Sequence, residues 1–273
     1  MIKWRPKVPI LLRSENASRK WFTIGSPYFL TPMACYRRPI VLLAHCSDRP
    51  AAIQGSMAPL IHSLLFLTER GFAPGGEPDA LLCHASTPVL PDIDLPVFLE
   101  PANGSEAALR SLMQRAPAGV VLSDCRTGAD VQRLDVLLSV AEAEEGIPLG
   151  QTRILATTDG LLPLPFSEAA FGRKSRRLAG LVWDWRLLAT TLGATRLRAD
   201  GRWTDAFALA RATTLLTAKA SGIAVYDVSP PLPESDFAAD CIGARHDGFD
   251  GRMTDNPEQV AAINAAFRTR APA

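Results

Sequence analysis

From residue 37 onward, short β-branched or leucine-rich runs alternate with longer segments of helical period, the sequence mark of a parallel sheet crossed by helices. Eight such runs can be counted: 40–45, 79–85, 97–103, 119–124, 153–159, 178–185, 222–230 and the Gly-rich 248–253. Between them, apolar residues fall at spacings of three and four, as in Ala58, Ile61 and Leu65 or Val131, Leu134, Leu137, Leu138 and Val140, which predicts amphipathic helices. Gly146 and Gly222 stand where a helix would hand over to the next strand. Eight strand–helix units in about 230 residues predict a TIM (β/α)₈ barrel. A doubly wound open sheet gives a similar one-dimensional pattern, but no GxGxxG follows the first run. One unit is short. Only residues 86–95, with Pro88 and Pro91, separate the second run from the third, too few for a full crossover helix, so the second βα unit is expected to lack its helix. Residues 1–36, with Trp4, Trp21, Phe22, Tyr28 and Phe29, read as an N-terminal extension preceding a barrel over 37–270.

Composition narrows the function classes. Hydrophobic residues make up 47%, and 29 Lys and Arg against 28 Asp and Glu leave a net charge of +1. That balance argues against disorder and against a chain-wide basic surface for nucleic acid. Five cysteines, an odd number without CxxC spacing, suggest neither a disulfide framework nor a zinc ribbon, and the expected setting is the reducing cytoplasm. No apolar run approaches the roughly 20 residues of a membrane span, so no membrane partner is expected.

The run GFDGRMTDNPEQVAAINAAF (248–267) resembles the terminal motif GFDGKxxIHPxQVxxINxxF of the HpcH/HpaI aldolase and citrate lyase β-subunit family. The shared residues are Gly248, Phe249, Asp250, Gly251, Pro257, Gln259, Val260, Ile263, Asn264 and Phe267. Residues 208–228, 180–193 and 36–44 are similar to further stretches of the same family. The resemblance implies a TIM barrel that makes or breaks a carbon–carbon bond in an acyl-CoA or a small 2-oxo or hydroxy acid. It also implies bound Mg²⁺ and assembly as a homo-oligomer. A non-catalytic barrel that binds a ligand or a partner is the competing reading.

Such cleavage leaves an enolate whose oxygen needs a hard cation, an arginine, or both. The resemblance puts an arginine after strand three, a metal Glu at the end of strand five and a metal Asp just past strand six. The residues at those places are Glu100, Thr157 and Leu187. Side chains two apart on a strand share a face, so Asp159 could replace a carboxylate at 157, with Asp184 as its partner; these two are the candidate metal ligands. Each also has a plain structural reading: Asp159 precedes Gly160 in a turn pair, and Asp184 could cap a helix or pair with Arg186. Glu100, Thr157, Asp124 and Arg126 are the candidates to touch substrate. His45 and His84 fall at strand ends, Cys46, Cys83 and Cys125 read as small apolar fillers, and the basic run 173–177 reads as a solvated helix C-terminus.

Overall fold

The chain divides into two units, Met1–Gln54 and Gly55–Ala273. The computed structural model describes residues 61–67, 77–87, 94–103, 105–163, 167, 170–199 and 201–268, all in the second unit. Eight parallel strands close into a barrel: β1 (Ser63–Leu67), β2 (Ala80–His84), β3 (Val97–Glu100), β4 (Gly119–Leu122), β5 (Arg153–Thr158), β6 (Leu178–Trp183), β9 (Ala224–Val228) and β10 (Gly251–Thr254). A small hairpin, β7 (Arg198–Ala199) with β8 (Arg202–Trp203), interrupts the connection from β6 to β9. The helices are α1 (Glu106–Met113), α2 (Gly128–Glu145), α3 (Trp185–Leu192), α4 (Asp205–Ser221), α5 (Glu234–Asp247) and α6 (Val260–Arg268). No helix among the described residues is long and apolar enough to cross a membrane.

Strand alternation sorts the core into two shells. Leu64, Leu82, Phe98, Val121, Leu155, Val182, Tyr226 and Met253, one from each strand, meet in a single cluster that fills the barrel. Their neighbours Val120, Ile154, Leu181 and Val225 point outward and pack under Leu134, Leu138, Phe237, Ile263 and Phe267 of the helices. Burial on both faces explains why the strands read as continuous apolar runs.

The first strand departs from expectation. It is Ser63–Leu67, hydrogen-bonded to β10 on one side and β2 on the other, whereas the sequence pattern placed Ile61 and Leu65 on a helix and the first strand at 40–45. Leu64 faces the barrel interior and Leu65 the outer shell, so both faces are buried and no polar alternation marks the strand. Residues 40–45 lie outside the described residues, as do the extension 1–36, His45 and Cys46. Between β2 and β3, residues 85–87 and 94–96 are not helical, and 88–93 lie outside the description.

The C-terminal motif performs structural work. A Cβ at Gly251 would stand 2.2 Å from the carbonyl oxygen of His62, so only glycine lets β10 approach the segment entering β1. Asp250 accepts from the Val225 amide at 2.9 Å and from Lys219 Nζ at 2.8 Å, and Asn264 Nδ2 donates to the Glu77 carbonyl at 2.9 Å. Arg177 is a second correction. Rather than ending a solvated helix, it is buried under α2, donating to Glu142 at 2.6 and 2.7 Å, to Asp135 at 2.6 Å and to Ser139 at 3.0 Å. The reason is charge compensation: a basic side chain enters a protein interior when carboxylates there meet its donors.

Candidate functional site

Strand parity builds the mouth of the barrel at its C-terminal end, where enzymes of this architecture carry their chemistry. One step beyond the filling cluster, the inward positions are His84 on β2, Glu100 on β3, Ser123 after β4, Thr157 on β5 and Asp184 after β6. Three of them connect. Ser123 Oγ donates to Glu100 Oε1, and Glu100 Oε2 lies 3.4 Å from His84 Nε2, whose ring meets Phe66 edge-on at 5.6 Å. Thr157 is buried among these strands and Leu187 lies on α3.

Asp184 and Arg186 form one unit. The Asp184 carboxylate caps α3 by accepting from the Arg186 amide at 2.9 Å, then takes Arg186 Nε at 2.9 Å and Nη2 at 2.8 Å. This hydrogen bonding raises the affinity of the Arg186 guanidinium for its proton. Its Nη1 is 3.9 Å from Asp255 and donates no hydrogen bond among the described residues, while the side chain is 43% exposed. A guanidinium thus hangs at the mouth with one edge clamped and one open.

Asp159 does not join this group. Fully buried, it accepts from the Leu161 amide at 2.9 Å, from Arg126 Nη2 at 2.7 Å and from Thr191 Oγ1 of α3 at 3.4 Å. Arg126 is also 3.5 Å from Asp124, which turns the chain at φ +50° before Thr127 and Asp130 cap α2. The six candidate residues therefore separate: Glu100, Thr157 and Asp184 at the mouth, Asp124, Arg126 and Asp159 in a neighbouring ion-pair cluster.

Mg²⁺ is usually held by one or two carboxylates, and an arginine already paired with a carboxylate competes with the ion for it. All four oxygens of Asp159 and Asp184 already accept hydrogen bonds from arginine or backbone. No group of three or more His, Cys, Asp or Glu among the described residues is arranged to hold a metal ion. Among the described residues Asp159 and Asp184, each neutralised by an arginine, do not form a shared Mg²⁺ site. Sequence reasoning treated Arg186 only as a partner for Asp184 and missed its open edge. The signal that could have found it is its place two residues into a helix that starts at the barrel mouth.

No family model matches the chain. Over 148 residues it is 27% identical to the citrate lyase subunit beta of Leuconostoc mesenteroides subsp. cremoris, a match covering 54% of this chain and 47% of that protein. The chain thus spans about half the length of the curated relative it matches. Among solved structures, RipC from Yersinia pestis superposes with a TM-score of 0.57 at 22% identity, over 77% of this chain and 96% of that one. The citrate lyase beta subunit of M. tuberculosis, complexed with oxaloacetate and magnesium, superposes with a TM-score of 0.54 at 20% identity, over 77% and 98%. A Haloferax volcanii malate synthase reaches 0.59 at 13% identity, over 78% and 75%. The fold is that of the citrate lyase β-subunit barrels. In sequence the chain is similar to a citrate lyase subunit beta over about half of its length.

Proposed function

We propose that the mouth of this barrel binds a small 2-oxo or hydroxy acid, or its acyl-CoA thioester, with Arg186 as the anchoring cation. The Mg²⁺-dependent carbon–carbon cleavage associated with the family is absent or strongly reduced in it. The observation that carries this reading is the open Nη1 edge of Arg186, a charge-assisted donor held in place by Asp184. The ligand class is supported by the structural neighbours, which include a citrate lyase beta subunit with oxaloacetate and magnesium and a CitE protein with magnesium, acetoacetate and coenzyme A. Against cleavage stands Glu100, whose carboxylate occupies the place where the resemblance puts an arginine. A negative charge near a forming enolate raises the barrier, and each 1.4 kcal/mol is about tenfold in rate. Glu100 and Asp255 around the same guanidinium also favour a ligand with one carboxylate over one with two.

Calorimetry with pyruvate and oxaloacetate, in EDTA and in millimolar Mg²⁺, tests the reading. The expected result is saturable binding, tighter for pyruvate, unchanged by Mg²⁺ and lost in Arg186→Ala, with no heat for Mg²⁺ alone. Purified protein should not cleave citryl-CoA or malyl-CoA. Efficient Mg²⁺-dependent cleavage, or binding that survives Arg186→Ala, would overturn it. A homo-oligomer belongs to the same reading, and sedimentation at micromolar concentration checks it.

A further inference from the structure

Outside the barrel wall, a groove of about 650 Å³ runs between α4 and α5, and none of the mouth residues lines it. That volume lies within the range of small-molecule sites. Its floor is apolar, with Phe249 and Leu215, and small side chains at Ala212, Ala239 and Gly243 keep it open. One end is different. There Arg198 and Arg202 of the β7–β8 hairpin flank Trp203, with the Arg198 guanidinium 4.9 Å over the indole.

Most of the charged side chains here are paired. Arg198 pairs with Asp240 at 3.0 Å, Arg211 with Asp227 and Asp247, and Arg252 with Asp227 and Asp240. The Arg202 side chain has no hydrogen-bond or ion-pair partner among the described residues. In addition, Arg198 Nε and Nη1 are shielded from solvent and have no hydrogen-bond partner among the described residues. Unsatisfied shielded donors are rare in folded proteins and mark a place where an acceptor is missing.

We infer that this groove is a binding site for an amphiphilic anion, a carboxylate or phosphate head on an apolar chain. The head meets the exposed Arg202 beside Trp203, and the chain lies between α4 and α5 over Phe249. A neutral helix from a second copy of the chain would cover the apolar floor but leave the arginine end without an acceptor. An inorganic anion would meet the arginines and leave the floor in water.

Gly243 makes the inference testable. A Cβ there meets nothing within 4 Å, so Gly243→Leu projects a side chain into open space and gains helix propensity while filling the groove. Titrating the full chain with octanoate and octyl phosphate should give saturable heats that persist in Arg186→Ala, vanish in Gly243→Leu and weaken about tenfold in Arg202→Ala. Tighter binding of one probe names the headgroup. Octyltrimethylammonium should not bind. The inference is overturned if neither anionic probe binds up to millimolar concentration. It is equally overturned if Gly243→Leu, shown folded by circular dichroism, binds as the parent does. Dissociation of a dimer by Gly243→Leu, without any effect of the probes, would assign the groove to a second copy instead.

Discussion

Replacing Arg177 by methionine keeps the apolar stem and removes the guanidinium that joins α2 to the segment entering β6. Glu142 would then be a fully buried carboxylate with no counter-ion, keeping the Gly150 and Thr152 amides at 2.7 and 2.8 Å and the Thr152 hydroxyl. Burial alone pushes this carboxyl up, yet Arg177 and the two amides overcome it and hold it at about 2, against an ordinary value of 4.5. At ~1.4 kcal/mol per tenfold change in proton affinity, that difference corresponds to roughly 3 kcal/mol. Breaking a buried pair by removing one partner typically costs about 3–5 kcal/mol, in agreement. For a domain of this size each kcal/mol moves the midpoint by about 2–4 °C, so Arg177→Met should melt about 10 °C below the parent at pH 7. The pH dependence gives the sharper check. Because the folded pKa is depressed, the stabilisation by the Glu142 carboxylate is fully present above 4.5 and is lost as pH falls toward 2. In Arg177→Met the carboxyl is destabilising while ionised, and protonation relieves it. The gap between parent and variant in urea unfolding should therefore shrink below pH 4.5. A gap under ~1 kcal/mol at pH 7, or one that does not change between pH 7 and 3, would refute the reasoning.

Two further outcomes follow from geometry already described. Gly251→Ala should yield little folded protein in expression and circular dichroism trials, since its methyl group would meet the His62 carbonyl at 2.2 Å, in backbone that cannot yield without opening the barrel. Cys125 and Cys241, buried and pushed up to about 12 and about 11, should resist iodoacetamide at pH 8 in the native protein and react fully in 6 M urea, as mass spectrometry would show.

Much of the barrel was legible because its strands are buried on both faces. The runs around Val120, Leu155, Val182 and Tyr226 are too apolar and too β-branched or aromatic for surface structure, and the glycines at 146 and 222 close helices in the left-handed conformation. The same property hid β1, because a five-residue run buried on both sides carries no period that separates strand from helix. At the mouth, strand ends identified which residues could be present but not what they bond. Asp184 could be expected to cap α3 because its arginine is two residues away, whereas Asp159 meets Arg126 across 33 residues and Arg177 meets Glu142 across 35. Such pairings are properties of packing, and a single sequence does not display them.

The junction of β1 with β10 has a consequence for how the chain is made. His62 Nδ1 bonds the Asp250 carbonyl at 2.8 Å across 188 residues, and the strands on either side of that contact complete the ring. Until residues 251–254 are available, β1 and β9 each present a bare edge, with unpaired amides and carbonyls beside an apolar interior. A nascent chain emerging from the ribosome at about 5–20 residues per second therefore holds an open, adhesive sheet for many seconds before its last strand arrives. A released chain truncated before Gly251 should accordingly aggregate far more readily than one that runs through Arg268.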